Sequence, residues 1–294
     1  MRLKRMLKNV IRDSLRMVMP KLWYLKLRFY LTHGYRLNLK KSKTWNEKIQ
    51  YRKLNCDSEF LSNFTDKIVV RDYVKEIIGE EYLIPLLGYY EKITPKDIEN
   101  LPKSFVIKTS NGSGGENIKV IWDKNKEDII KLCKQFNKYL DMKIGHKIDE
   151  LYYDVKRPRI LVEKLMLDEN GNIPMDLKFH TFVNGGKPSY IIQVDLSRFE
   201  DHSRDWYGEN WELLDLKQTY KRSNEILSEP KKFNQMKEIA HKLVKNFNYC
   251  RVDLYNLDGE IYFGELTFCH GSGWEKIEPR EWDYKMGEMW YEDR

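Results

Sequence analysis

Phe105-Val106-Ile107-Lys108-Thr109-Ser110-Asn111-Gly112-Ser113-Gly114-Gly115 is followed, after Glu116 and Asn117, by Ile118-Lys119-Val120-Ile121. Two short apolar, β-branched runs around a glycine-rich turn read as a hairpin. The first strand ends by delivering Lys108 to the turn. Glycine lets backbone N–H groups approach an anion closely, and the lysine adds a compact positive charge. Lys108 with Ser110, Gly112, Ser113, Gly114 and Gly115 is therefore a candidate cover for a polyphosphate. The lysine precedes the glycines and no clear helix follows, so this is not the GxxxxGK[ST] loop. A plain turn between two strands is the competing reading.

Outward from this hairpin, strands and helices mix without regular βαβ alternation, which predicts an α+β fold. Thr44-Trp45-Asn46-Glu47 has the form of a capping box and opens a helix through Leu54. Residues 66–78 predict another, with Val69, Tyr73 and Ile77 on one face and Gly79 as its stop. Further helices are expected at 95–101, 126–141 and 230–246. Strands are expected at 83–87, 159–166, 177–183, 188–196, 250–255 and 260–267.

The last two strands flank the turn Asn256-Leu257-Asp258-Gly259 and carry Arg251, Asp253, Glu265 and Thr267. Residues two apart on a strand share a face, so the hairpin brings Asp253 near Glu265. Two carboxylates on one face suit Mg²⁺, which takes carboxylates together with substrate phosphates. Arg251 beside them is placed to neutralise charge on a transferred phosphoryl group. Ordinary cross-strand charge pairing is the alternative. In 159–166, Glu163, Lys164 and Leu165 are candidates for a hinge wall along an adenine. Lys178, in Asp176-Leu177-Lys178-Phe179-His180, is a candidate second phosphate contact.

The 294 residues suffice for two lobes, and 41% apolar with 33% charged residues fits a globular protein. The net charge of +7 is unevenly spread: residues 1–43 hold thirteen basic residues and one acid, Asp13, so they carry +12 and the remainder −5. The charge therefore belongs to a tail, which argues against a nucleic-acid-binding body. Within the tail Leu3, Met6, Leu7, Val10, Ile11 and Leu15 recur at helical spacing. A basic amphipathic helix suits an anionic membrane surface, and docking on the body is the alternative. No apolar run reaches about 18 residues and no secretory segment is evident. Cys56, Cys133, Cys250 and Cys269 form no CxxC pair and read as reduced thiols. A cytoplasmic protein, peripheral on the inner face of the cytoplasmic membrane, is expected.

In order, the lysine before the glycine hairpin, Glu163-Lys164, the Lys178 strand and Arg251-x-Asp253…Glu265-x-Thr267 resemble the ATP-grasp superfamily. More closely, the chain resembles the TupA-like ATP-grasp proteins of bacterial surface-polysaccharide gene clusters, from about residue 44 onward. Thr44 to Gln50, Asp66-Lys67…Val70-Arg71 and the Asp195…Arg198…His202…Arg204 segment carry the closer likeness. The resemblance implies ATP between two α+β lobes, with Lys67, Lys108 and Lys178 among its contacts and residues 110–115 closing over the phosphates. It implies that Glu163 and Leu165 read adenine, with Lys164 between them, and that Asp253 and Glu265 bind Mg²⁺. Many superfamily members place Asn where Thr267 stands, and a proline-glycine where this chain has Cys269-His270-Gly271-Ser272-Gly273. The expected division is 1–43 basic segment, 44–104 helical region, 105–166 small lobe and 167–294 large lobe.

The implied chemistry is carboxylate activation: an acyl phosphate forms from ATP and an amine displaces phosphate, so one difficult step becomes two easier ones. A uronic acid, an amino acid or a lipid-linked glycan bearing a carboxylate, with an amine donor, is the expected partner. Asp195, Arg198, His202 and Arg204 are expected at the acceptor pocket, an arginine clamping the carboxylate and His202 taking the amine proton. Arg251 joins Arg198, His202 and Arg204 as a catalytic candidate. A glycosyltransferase, a sugar phosphotransferase and a non-enzymatic membrane adaptor are the rivals. The first is weakened because the chain contains no Asp-x-Asp pair. Zinc hydrolysis is disfavoured because His180, His202, Cys269 and His270 lack ligand spacing.

Overall fold

A computed structural model describes residues 14–112, 115, 117–196, 202–223 and 225–291. Helices α1 (Lys21–His33), α2 (Trp45–Asn55), α3 (Ser58–Thr65) and α4 (Val70–Ile77) come first. Then follow β1 (Leu86–Tyr90), α5 (Pro95–Glu99), the hairpin β2 (Phe105–Thr109) and β3 (Ile118–Ile121), α6 (Ile129–Tyr139), α7 (Ile144–Ile148) and β4 (Ile160–Lys164). Strands β5 (Asp176–Asn184), β6 (Lys187–Leu196), β7 (Ser203–Tyr207) and β8 (Lys217–Gln218) lead to α8 (Phe233–Val244). The chain finishes with β9 (Tyr249–Leu257), β10 (Glu260–Thr267), β11 (Ile277–Glu278) and α9 (Glu281–Met289).

The small lobe is a four-stranded antiparallel sheet in the order β1-β4-β2-β3. Phe105, Ile107, Ile160 and Val162 form its core with Leu132, Cys133 and Phe136 of α6. Asp128 caps α6 by accepting the Lys131 N–H, which fixes where the chain leaves the sheet. The large lobe is a five-stranded antiparallel sheet in the order β10-β9-β5-β6-β7. Its register pairs Lys178 with Asp253 and Gln193, and Asp195 with Arg204. Partners across a ladder share a face, so alternation divides this sheet cleanly. Leu177, Phe179, Ile192, Val194, Val252 and Leu254 point to the apolar side, where α8 contributes Met236, Ile239, Ala240 and Leu243. The other face carries Lys178, His180, Gln193, Asp195, Arg204, Arg251, Asp253, Glu265 and Thr267.

The expected capping box at Thr44 is present: Thr44 Oγ1 accepts the Glu47 N–H and Glu47 returns the bond to the Thr44 N–H. The same short segment holds the C-terminal part in place. Asn46 donates from its backbone and side chain to Asp283, Gln50 donates to the Ser272 and Gly273 carbonyls, and Lys48 donates to the Trp290 carbonyl. Gly287 is pressed against this junction, and a Cβ there would stand 2.0 Å from the Lys43 carbonyl oxygen. Gly287→Ala is therefore expected to cost about 1–3 kcal/mol in denaturant unfolding, the scale of overpacking against backbone. An unchanged midpoint would mean that α9 is not seated as described.

Several boundaries differ from the sequence expectation. The strand expected at 83–87 lies at Leu86–Tyr90, since proline at 85 lacks the N–H a ladder needs. The helix expected from 66 starts at Val70, because Asp66 Oδ1 accepts the N–H groups of Ile68 and Val69 and holds them in a turn. Its buried face is Val70 and Val74, with Tyr73 and Ile77 half-buried beside them. The segment 44–104 serves two cores: α2–α4 join the large-lobe cluster through Trp45, Ile49, Phe64 and Val74, whereas β1 pairs with β4 in the small lobe. Of the basic tail, residues 1–13 lie outside the described residues. From Arg16 onward it docks: Arg16 bonds Asp149 at 2.7 Å, Arg28 lies 3.8 Å over Trp274, and His33 Nε2 meets the Gly273 carbonyl at 3.0 Å.

Candidate active site between the two lobes

Lys67 and Lys178 pair with the β9–β10 hairpin, and Lys108 lies close enough to influence Glu265 there. Lys108 extends from β2 to Glu163 of β4 at 2.6 Å, and Arg71 of α4 approaches the other Glu163 oxygen at 3.4 Å. Lys67, in the turn before α4, binds the glycine loop twice: its N–H donates to the Ser110 carbonyl at 3.0 Å and its ammonium to the Gly112 carbonyl at 2.5 Å. The same ammonium stands 3.7 Å from Glu265 of β10. Burial lowers the Lys67 pKa, against the opposing pull of Glu265. Lys178 lies between Asp176 and Asp253, the latter at 2.9 Å. Burial works against its charge, yet the two aspartates raise it above the usual lysine range.

Gly264 makes the carboxylate pair possible. The β9–β10 register shifts between Phe263 and Glu265, and that bulge sets Glu265 opposite Asp253. Arg251 is shared by both: Nε and Nη2 donate to the Asp253 oxygens at 2.6 and 2.7 Å, and Nη2 also donates to Glu265 Oε1 at 2.8 Å. Thr267 Oγ1 donates to Glu265 Oε1 at 3.2 Å. Burial pushes Asp253 up to about 6 despite Arg251 and Lys178 beside it. Burial also opposes ionisation of Glu265, but Lys67, Arg251, Lys178 and Lys108 together hold it down at about 2. Both are carboxylates at neutral pH, and Glu265 is the more open, with 37% of its side chain exposed.

A second polar chain continues from Arg251. Its Nη1 donates to His270 Nδ1 at 2.7 Å, so His270 presents an Nε2–H to Gln218 Oε1 at 3.0 Å and to Glu275 at 3.4 Å. Glu275 and Gln218 also receive Arg204, whose Nε donates to Asp195 at 2.7 Å. His202 meets the same Asp195 oxygen at 3.1 Å and packs on Tyr220 at 3.6 Å between ring centroids. Arg204 holds Asp195 well below the usual carboxylate range against its burial. An ionised Asp195 only accepts, so His202 donates to it from Nε2.

Burial lowers His270 to about 4, with Arg251 and Arg204 adding to the effect against Glu275. A base depressed from about 6.5 stabilises the fold fully above that value and loses the contribution as pH falls toward the folded value. His270→Asn keeps an acceptor for Arg251 but does not titrate. It is expected to flatten the loss of stability between about pH 6.5 and 4, read from unfolding midpoints at each pH. An identical slope in both proteins would contradict a buried, neutral His270.

Of the residues singled out in the sequence, Lys67, Lys108, Lys178, Arg251, Asp253, Glu265 and Thr267 come together. Ser110 sits at the loop base, its N–H on the Arg159 carbonyl at 2.7 Å and its hydroxyl accepting the Arg159 N–H. Among the described residues, both buried amide atoms of Asn111 and the buried Oδ1 of Asn117, in the same loop, have no hydrogen-bond partner. Gly112 and Gly115 are described, Gly115 with φ of 80°; Ser113 and Gly114 lie outside the described residues, as does Arg198. Glu163, expected at adenine, spends its carboxylate on Lys108 and Arg71, and the Lys164 N–H bonds the Pro85 carbonyl. Leu165 is buried. Arg204, expected to clamp a carboxylate, is buried between Asp195 and Glu275 and so is built into the protein. Gln218, His270 and Glu275 were not foreseen as site residues. The replacement of proline-glycine by Cys269-His270-Gly271 is the one sequence signal that touches them.

Among the described residues no group of three or more His, Cys, Asp or Glu stands ready to hold a metal alone. The donor set Asp253, Glu265 and Thr267 nevertheless fits Mg²⁺, which takes one or two carboxylates and completes its shell with phosphate oxygens and water. No described helix is long and apolar enough to cross a membrane.

Cations from both antiparallel lobes thus lie around the Asp253–Glu265 carboxylate pair. Residues 47–291 match the family described as TupA-like ATPgrasp, and the chain belongs to that family. No curated protein matches it in sequence. Among solved structures, D-alanine-D-alanine ligase from Helicobacter pylori is 15% identical with a TM-score of 0.43, covering 78% of this chain and 62% of that one. Phosphoribosylamine–glycine ligase from Thermotoga maritima is 16% identical with a TM-score of 0.42, covering 74% of this chain and 52% of that one. This chain thus spans less than two thirds of the length of either.

Proposed function

We propose that this protein is an ATP-dependent ligase that joins a carboxylate to an amine. The convergence of Lys67, Lys178 and Arg251 on Asp253 and Glu265, with the Lys108 charge close enough to help hold the Glu265 pKa down, carries the reading, together with membership of an ATP-grasp family. Mg²⁺ held by Glu265 and Asp253, with Thr267 adjoining, supplies charge neutralisation at the phosphates. The lysines bind and orient the triphosphate, and Arg251 balances charge that develops as the γ-phosphoryl leaves. The acceptor carboxylate attacks the γ-phosphorus and ADP departs. The amine then attacks the acyl phosphate carbon, phosphate departs and an amide remains. His202, oriented by its Nε2–H on Asp195, takes the amine proton at Nδ1.

The acceptor proposed is a sugar acid or amino acid of a bacterial surface polysaccharide; membership of the TupA-like family is what supports it. Incubation with ATP, Mg²⁺, candidate uronic or amino acids and amines tests the reading. Release of both ADP and phosphate with an amide product is expected. ADP with a phosphorylated acceptor and no free phosphate, or turnover without ATP consumption, would overturn it in favour of phosphotransfer or glycosyl transfer.

A further inference from the structure

Helix α1 is apolar on both of its sides. Tyr24, Leu25, Phe29 and His33 face the body, where Leu25, Phe29 and Leu37 form a cluster with Trp274. The opposite side carries Trp23, Leu27, Tyr30 and Leu31 at i, i+4, i+7 and i+8, which places them on one outward stripe. Trp23 and Leu31 are each 71% exposed and Tyr30 is 52% exposed, with Leu22, Met17 and Val18 open beside them. A surface helix of a globular protein ordinarily shows polar residues there. Among residues 14–43 there are eight basic residues, Arg16, Lys21, Lys26, Arg28, Arg36, Lys40, Lys41 and Lys43, and no acid. Lys21, Lys26, Arg36, Lys40, Lys41 and Lys43 are exposed.

We propose that the outer face of α1 is a membrane-contact surface that seats this protein on an anionic bilayer. Charge complementarity selects that occupant: a segment of eight cations and no acid around an apolar stripe suits anionic headgroups over acyl chains. Tryptophan and tyrosine in the stripe are the residues whose amphipathic rings settle at the headgroup level. A second copy of the chain would bring the same cations against themselves. The docked side makes this more than a tether. Arg28 on Trp274 and His33 on Gly273 fix α1 to the loop that also carries His270 to Arg251, so the bilayer fixes the orientation of the whole protein. This inference is independent of the ligase reading.

The test is co-sedimentation of the full chain with vesicles of phosphatidylglycerol and phosphatidylcholine in equal parts, against phosphatidylcholine alone. Binding to the anionic vesicles is expected, and it should fall steeply as salt rises from about 0.1 to about 1 M and the screening length shrinks from about 10 to about 3 Å. Trp23→Ser with Leu27→Ser and Leu31→Ser is expected to reduce partition at least about tenfold without lowering the melting temperature. Lys21→Glu with Lys26→Glu, at exposed positions, should reduce it separately. Ile130→Ser, a change at an exposed isoleucine elsewhere, should leave it unchanged. Failure of the full chain to sediment with anionic vesicles at low salt would overturn the proposal. So would equal sedimentation of the triple variant, or a lipid-free dimer that the triple variant dissolves.

Discussion

Glu265→Gln is expected to keep the fold and lower turnover at least about a hundredfold, the scale for removing one group that stabilises transition-state charge. Gln preserves the shape that accepts Arg251 and Thr267, while the charge facing Lys67 and the proposed Mg²⁺ is lost. Thr267→Ala should do less, because a hydroxyl contributes a neutral donor. The variant should also lose one component of acid sensitivity. Glu265 is held at about 2 in the folded protein against an ordinary value near 4.3. Its contribution is therefore present above the ordinary value and disappears as pH falls through the folded one. ADP release at saturating Mg²⁺ and a thermal melt measure the two effects. Equal turnover in both proteins would remove Glu265 from the mechanism.

Arg251→Met should be the most destabilising of these changes. The guanidinium is 10% exposed and serves Asp253, Glu265 and His270 at once. Methionine fills much of its volume but leaves two carboxylates facing each other across the ladder. Removing one partner from a buried ion pair costs about 3–5 kcal/mol when the remaining charge is uncompensated; Lys178 stays on Asp253 and Lys67 stays 3.7 Å from Glu265, so the lower end of that range is expected. Denaturant unfolding should register that loss. Asp253→Asn added to Arg251→Met should recover part of it by removing one of the stranded charges. A loss below about 1 kcal/mol, or no recovery in the double variant, would mean that Arg251 is not the neutralising centre of the hairpin.

What the sequence made legible was local. The Thr44 capping box, the Lys108 hairpin and the 256–259 turn each depend on residues a few positions apart, and each stands as expected. The 256–259 turn made the closeness of the Asp253 and Glu265 strands legible, but the two-residue period alone would set Glu265 opposite Val252; the bulge at Gly264 moves it onto the face of Asp253. The rest depends on packing that no period encodes. Helix α3 and strand β7 have no turn chemistry strong enough to announce them. His270 and Glu275 arrive in an irregular loop in which Gly271 and Gly273 adopt φ of 55° and 65°. Gly273 is required there by contact as well, since a Cβ would meet Gln50 at 2.6 Å. Arg204 carried the right chemistry for a carboxylate clamp, but the fold supplies Asp195 and Glu275 as its partners. Only the register of β6 on β7 and the placement of the 270–275 loop decide that.

Calorimetry of ATP binding in the presence of Mg²⁺, with wild type and Lys108→Ala side by side, tests the central claim most directly. The lysine reaches the site from the small lobe and makes its ion pair within that lobe, on Glu163 at 2.6 Å. Loss of a charge-assisted contact to phosphate should weaken nucleotide affinity by about 1.5–3 kcal/mol; the variant also loses the buried Lys108–Glu163 pair, with Arg71 remaining on Glu163, so a thermal melt of the free protein checks that it is folded under the conditions of the titration. Binding of ATP by wild type with that loss in the variant is the result expected; nucleotide affinity that is absent in wild type, or the same in both proteins, would contradict the site.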